Sequence, residues 1–439
     1  MSNLPHLRIG GGAGFSGDRL EPAVDLVRRG QLDYLILECL AERTIALAQR
    51  RKLADPTQGY DPLLERRMEL LLPELVRHGV RLVTNFGAAN PKAAAERVRG
   101  IADRLGVSVA VAAVCGDDVL AHLRPDLPTV ETGRPLGDYP DLISANAYLG
   151  VDAILPALEA GADVIITGRV ADPSLVLAPL VHHFGWATDD LLGQGTVIGH
   201  LLECGAQVCG GYFLDADRKR VPDPAHLGYP IAEVAADGTA RITKLPGTGG
   251  RIDLRTVKEQ LLYEVVDPHA YLTPDVAADF TTVRLEETGP DAVTVTGGTG
   301  APRPDRLKVS VGYRAGYRGE GEISYAGPGA ADRARLAGAI VRERLAGEVD
   351  ELRLDLIGVD SVHLAGGPPV ATREARLRVA GRAADAAAAA RVGEEVEALY
   401  TNGPFGGGGA RKSVTEVVGI VSVLLDRTLP HPQLSLYRP

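Results

Sequence analysis

Eighteen consecutive apolar residues occur nowhere in this sequence, and its opening Met-Ser-Asn-Leu-Pro-His lacks the basic-then-apolar pattern of an export signal. Neither a membrane-spanning helix nor secretion is expected, and the cytoplasm is the expected location. Cysteine is scarce: Cys39, Cys115, Cys204 and Cys209 form no Cys-x-x-Cys pair and no metal-ligand spacing, which fits free thiols in a reducing compartment. Basic blocks are missing as well. With 47 Lys plus Arg against 57 Asp plus Glu, the net charge of −10 disfavours nucleic acid or an anionic membrane as partner. A Gly-x-Ser-x-Gly elbow, a phosphate-binding P-loop and a His-Glu-x-x-His helix are absent, which removes the commonest serine hydrolase, P-loop and zincin readings.

What is present is glycine at the start of the chain. Five glycines fall in the eight positions from Gly10 to Gly17, after a short apolar run, and read as a strand entering a loop that exposes backbone N–H groups to a ligand. Gly12-x-Gly14-x-x-Gly17 also matches the dinucleotide fingerprint, with Glu38 at the end of the next strand where a ribose-binding acid would lie. Asp18, Glu21 and Pro22 at the following helix start argue against a nicotinamide cofactor, because two carboxylates occupy the positive helix end that a pyrophosphate would need. No cofactor and no metal is expected.

Strand-like and helical stretches alternate from Leu7 to Ser174, which predicts a mostly parallel, Rossmann-like α/β sheet in the N-terminal half. A (β/α) barrel is the alternative. In either, polar residues gather after the strands, so Ser16, Asp18, Arg19, Glu38, Asn85, Asn90, Asp117, Asp118, Asn146, Arg169 and Asp172 are expected to converge with Gly12 and Gly14 on one crevice. After about residue 190 the chain turns β-rich and loop-rich. Two domains are expected, a parallel α/β domain over 1–190 and an α+β domain over 191–439 that packs over the strand ends.

Glu203-Cys204-Gly205 is the most reactive-looking local combination, a thiol beside a carboxylate in a glycine-flanked turn. The carboxylate would raise the thiol pKa, and a buried cysteine that packs as a small hydrophobe is the alternative. Arg169 is placed to hold a carboxylate or phosphate bidentately, with a structural ion pair as the equal alternative. A second glycine loop, Gly403–Gly409, is followed by Arg411 and Lys412; Gly407, Gly408 and Arg411 form an anion-binding candidate, or a flexible solvated turn.

These stretches resemble the acyclic terpene utilisation family called AtuA. The likeness rests on Gly-Gly-Gly-Ala-Gly-Phe-Ser-Gly-Asp-Arg at 10–19, Leu-Glu-Cys-Gly-Ala-Gln-Val-Cys-Gly-Gly-Tyr-Phe at 202–213, Gly-Thr-Gly-Gly at 247–250, Thr-Val-Lys-Glu-Gln-Leu-Leu-Tyr-Glu-Val-Val-Asp-Pro at 256–268, Tyr-Leu-Thr-Pro-Asp-Val at 271–276 and Thr-Asn-Gly-Pro-Phe-Gly-Gly-Gly-Gly-Ala-Arg at 401–411. The resemblance implies catabolism of branched or isoprenoid acyl groups handled as coenzyme A thioesters, with coenzyme A as part of the substrate. Some relatives carry an extra C-terminal ferredoxin-like domain, so a small ferredoxin-like subunit is an expected partner.

Two functions follow as expectations. One is an enzyme on an acyl thioester, of lyase, hydratase or thioester hydrolase type, with Asp18, Glu38, Glu203 or Cys204 as the reacting group and backbone donors in the glycine loop. The other is a non-catalytic ligand-binding or assembly subunit. A homo-oligomer is expected in both, since a β-rich second half leaves edges that need covering.

Overall fold

The computed structural model describes residues 6–362 and 372–439. The first strand, β1 (His6–Ala13), runs through Gly10, Gly11 and Gly12 and stops at Ala13, so only Gly14 and Gly17 of the motif lie in the loop. No glycine between 10 and 17 has a positive φ. Their purpose is close approach: a Cβ on Gly12 would stand 2.8 Å from Leu35 and 2.9 Å from Leu37. The expected backbone-turn role for this run is therefore replaced by a packing role.

Next come α1 (Glu21–Arg29), β2 (Tyr34–Leu37), α2 (Glu42–Ala54), α3 (Leu64–His78), β3 (Arg81–Thr84), α4 (Pro91–Leu105) and β4 (Val111–Cys115). Asn90 caps α4, with Pro91 in its first turn and Gly106 left-handed at its end, the signals a helix of this sequence should show. Then follow β5 (Leu142–Ala147), α5 (Val151–Glu159), β6 (Val164–Thr167), α6 (Ser174–Phe184) and α7 (Asp189–Glu203). β1, β2, β3, β6 and β4 are neighbours in that order and pair parallel. Residues Leu35, Leu37, Leu82, Val164, Ile166, Val111 and Ala113 join one core with α1, α3 and α4. The alternate residues Ile36, Val83, Ile165 and Ala112 are also buried, on the face where α5, α6 and α7 pack on one another and α6 meets β1 and β2.

The α/β class holds, with two departures. Beyond β1 the sheet continues antiparallel through β7 (Pro230–Ala235) and β8 (Ala240–Lys244). Past α8 (Leu254–Leu262), β9 (Tyr271–Leu272) and β10 (Ala277–Asp279), it gains β11 (Arg284–Gly289) and β12 (Ala292–Thr296). The result is a mixed ten-stranded sheet with two ends, in the order β11-β12-β8-β7-β1-β2-β3-β6-β4 plus Gln433–Tyr437, which is neither a Rossmann order nor a closed barrel. β5 lies off this sheet and pairs with a later strand, so it does not extend the parallel set.

The chain groups into two compact units, residues 1–312 with 420–439, and residues 313–419. A boundary near 190 falls inside the first, because β7 pairs directly with β1. A small three-stranded sheet joins β9, β10 and β13 (Thr299–Ala301).

The second unit contains, in chain order, the part of β14 (Arg306–Ala326) from Tyr313 on, α9 (Ala330–Arg344), β15 (Glu351–Ile357), β16 (Glu374–Ala383), α10 (Ala386–Asn402) and the part of β17 (Gly408–Asp426) up to Gly419, β17 being the last strand before β18 (Gln433–Tyr437). Its sheet runs β15-β16-β14-β17, with β16 antiparallel to both neighbours. A βαββαβ chain with that order is the ferredoxin-like split-βαβ topology. Ile323, Tyr325, Leu377 and Val379 pack under both helices, and Gly319 admits α10, since a Cβ there would stand 1.7 Å from the Ala389 carbonyl oxygen. Gly407, Gly408 and Arg411 belong to this unit, Gly407 against Ile323 and Tyr325, Gly408 and Arg411 on β17. Among the described residues no helix is long and apolar enough to cross a membrane.

Candidate functional site

A parallel sheet delivers the residue after each strand to one edge, and in the first unit that edge opens into a cleft of about 560 Å³. Gly14 follows β1, Glu38 follows β2, Arg169 and Asp172 follow β6, and Glu203 with Cys204 ends α7; all six line the cleft, as do Asp18, Glu42, Tyr148, Tyr263 and Glu264. α7 reaches this edge because its last turn lies against β1, where a Cβ on Gly11 would stand 2.7 Å from the Leu202 carbonyl oxygen.

Arg169 is the electrostatic centre. It is 1% exposed, and its guanidinium donates to the Leu40 carbonyl at 2.6 Å, to the Val170 carbonyl at 2.9 Å and to Asp172. The Tyr148 ring lies 4.5 Å away under the same group. Burial opposes its charge, but Asp172, Tyr148, Glu38 and Glu42 outweigh it and hold the guanidinium above its ordinary pKa.

Three raised carboxyls share the cleft with it. Burial pushes Asp172 up to about 7, Glu203 and Glu42 adding to the rise against the pull of Arg169. Burial also drives Glu38 well up, with Asp172 reinforcing it, although Leu40 N–H at 2.7 Å and Asn85 Nδ2 at 2.9 Å donate to its Oε1. Glu203 is raised by burial and by Glu264, while His200 works against the rise. Glu42 is the opposite case: burial is outweighed by donation from Tyr148 at 2.6 Å and Lys308 at 2.9 Å, which brings it down to about 2. Glu42, held down, and three carboxyls raised above their ordinary range therefore share the cleft with one buried cation.

Cys204 lines the same cleft, but burial and the Glu203 carboxylate push its thiol up, so it is a neutral thiol rather than an activated nucleophile. Asp18 is occupied structurally. It accepts from Gly14 N–H at 2.9 Å, from Arg19 N–H at 3.0 Å and from the Tyr229 hydroxyl, which removes the Gly14 N–H from any oxyanion role. It lies in the turn before α1, whose first residue is Glu21.

The remaining expected residues support the site or lie elsewhere. Gly12 packs under the strand, and Asn85 is fully buried, bridging Cys39 N–H at 2.7 Å to Glu38. Asn146 donates to Asp117 at 2.8 Å, and Asp117 in turn accepts from Arg169 N–H at 3.0 Å. Asp118 makes a backbone bridge to Asn146. Ser16 is held through its carbonyl, and Asn90 serves as the cap of α4. Arg19 reaches the Ala225 carbonyl at 2.6 Å and lines a separate cavity of about 400 Å³.

Sequence reasoning missed Glu42, Tyr148, Tyr263 and Glu264 at the cleft, and Arg67 behind it. Arg67 is 2% exposed, donates to the Ser16 carbonyl at 2.7 Å and to the Cys39 sulfur, and so fixes the loop carrying Phe15 and Ser16. Position alone offered a weak signal: Tyr148 directly follows β5, and Glu42 opens α2, the helix after β2.

Comparison with curated proteins and with solved structures gives no match. The family model described as acyclic terpene utilisation family protein AtuA matches residues 7–436, which takes in the cleft, both glycine-rich stretches and the ferredoxin-like unit; the chain belongs to the acyclic terpene utilisation (AtuA) family.

Proposed function

We propose that this protein is a cytoplasmic enzyme of branched-chain or isoprenoid acyl catabolism, acting by proton transfer on an acyl-CoA or related carboxylic acid as a lyase or hydratase. The observation that carries the reading is Asp172 beside Arg169: a carboxyl pushed up to about 7 next to a buried cation, in a cleft with two further raised carboxyls. General acid–base catalysis is most efficient when the pKa lies near the working pH, which suits Asp172 to both giving and taking a proton. A buried cation with neighbouring carboxylic acids also favours the negative charge that develops on a thioester carbonyl when its α-proton leaves. Thioester hydrolysis through Cys204 is the weaker choice, since its thiol is pushed up rather than down.

The cleft needs no dissociable cofactor for this chemistry, coenzyme A entering as part of the substrate. The assembly we infer is a homo-oligomer that works with a small ferredoxin-like subunit; light scattering on the purified chain and co-expression with a neighbouring small reading frame test that part. The reaction itself is tested by offering purified protein a panel of saturated and unsaturated branched acyl-CoA thioesters. Turnover that is lost in Asp172→Asn supports the reading. Tight binding of a thioester without turnover, alone or with the small subunit, would instead establish a ligand-binding subunit.

A further inference from the structure

Behind the cleft wall lies a histidine whose environment is unusual. His200 sits one turn before the end of α7, is 1% exposed, and bonds through Nδ1 to Glu203 Oε1 at 2.8 Å. Tyr271 and Phe280 enclose its ring, with centroids 5.5 and 5.4 Å away. Among the described residues its buried Nε2 has no hydrogen-bond partner, and the likewise buried Glu203 Oε2 has none either.

Resting on the proton-transfer reading above, we propose that Glu203, which lines the cleft, is its catalytic base, and that His200, bonded to Oε1, is its positioning residue. The carboxylate takes the proton from the carbon next to the thioester carbonyl. The C–H bond breaks, an O–H bond forms on the Glu203 carboxyl, and the released electron pair moves onto the carbonyl oxygen as an enolate. His200 fixes the carboxyl group through its hydrogen bond to Oε1. The charged and titratable groups facing Glu203 are Arg169 and Asp172 beyond β6, Tyr271 on β9, Glu264 after α8, and Cys204 beside it. Asp172, beside Arg169 and raised in part by Glu203, is then the group that donates a proton later in the cycle.

Two readouts test this. Isotope-edited infrared titration of the ligand-free protein follows the Glu203 carboxyl directly, with Glu203→Gln identifying its band. Replacing His200 by Leu removes the N–H donor and should raise the Glu203 pKa by about one unit or more, while His200→Asn, which restores an amide N–H, should bring it back. An unshifted Glu203 in the Leu variant overturns the positioning role; if the Leu variant fails to fold, the Asn variant compared with His200→Ala decides, an unshifted Glu203 in the Ala variant overturning it. In the thioester assay Glu203→Gln should lower turnover by about 100-fold or more and abolish solvent deuterium entry next to the carbonyl. Full activity in Glu203→Gln with loss in Asp172→Asn overturns the assignment of Glu203 and leaves the proton-transfer reading intact. Unchanged turnover in both variants defeats that reading itself.

Discussion

Gly14 rests on the peptide of Cys204: a Cβ at position 14 would stand 2.3 Å from the Cys204 carbonyl carbon and 2.6 Å from its oxygen. The contact locks the end of β1 to the end of α7 and so sets where Glu203 and Cys204 meet the cleft. Gly14→Ala must push the two backbones apart. The expected cost is about 1–3 kcal/mol, the range for overpacking a filled site, read as a lower denaturant midpoint at unchanged m. A Gly14→Ala protein of wild-type stability would show that this contact is loose.

Arg169 is buried structure as well as part of the cleft lining. A surface arginine that grips a ligand can be cut to Ala without unfolding the protein, but this one is buried and satisfies the Leu40 and Val170 carbonyls. Arg169→Ala leaves those groups and Asp172 without their cation, and the expected loss is about 3–5 kcal/mol. Chemical denaturation of the Ala variant checks it; a change under about 1 kcal/mol would mean that water replaces the guanidinium freely.

The carboxyls give stability a pH signature. Asp172 has a folded pKa of about 7, above its unfolded value, so the folded state binds its proton more tightly. That stabilising contribution is complete at low pH and is lost as pH rises from about 4 to about 7, with Glu38 and Glu203 acting in the same direction. Asp172→Asn should flatten the decline in that window when unfolding is followed against pH. A slope identical to wild type would remove Asp172 as its source.

Glu42 carries the opposite sign. Its folded pKa of about 2 lies below the unfolded value, so its stabilisation is present above about 4 and fades as pH falls toward 2. Tyr148→Phe removes the 2.6 Å donor and should raise the Glu42 pKa, which carboxyl-resolved NMR titration measures. Wild-type titration in that variant would assign the depression to Lys308 alone.

The second unit has its own core of Ile323, Tyr325, Leu377, Val379, Val341 and Val396, so residues 313–419 expressed alone should fold cooperatively. Circular dichroism and thermal melting of the fragment test this; a fragment with no cooperative transition would show that the unit depends on the rest of the chain.

How much of this was legible in the sequence follows from range. Alternating apolar runs located β1 to β4 and β6, because strands buried on both faces are continuous in Val, Ile, Leu and Ala. The rule that ligands meet the carboxyl ends of such strands brought Glu38, Arg169 and Asp172 to one edge. What could not be read is pairing across long separations. β7 joining β1 over more than 200 residues moves the unit boundary, and nothing local in Pro230–Ala235 announces it. The ferredoxin-like unit was hidden for the same reason, since its identity lies in the order β15-β16-β14-β17 rather than in any one segment. The glycines at 10–12 misled locally: glycine needed for a positive φ and glycine needed so that Leu35 and Leu37 can close in look alike in sequence.

The most direct measurement is the steady-state rate with branched acyl-CoA thioesters across pH 5 to 9 for the wild type and Asp172→Asn, with circular dichroism confirming that both are folded. Wild-type turnover should show a limb near pH 7, and the variant should lose that limb and run about 100-fold slower. A folded Asp172→Asn protein that matches the wild type at every pH would contradict that expectation.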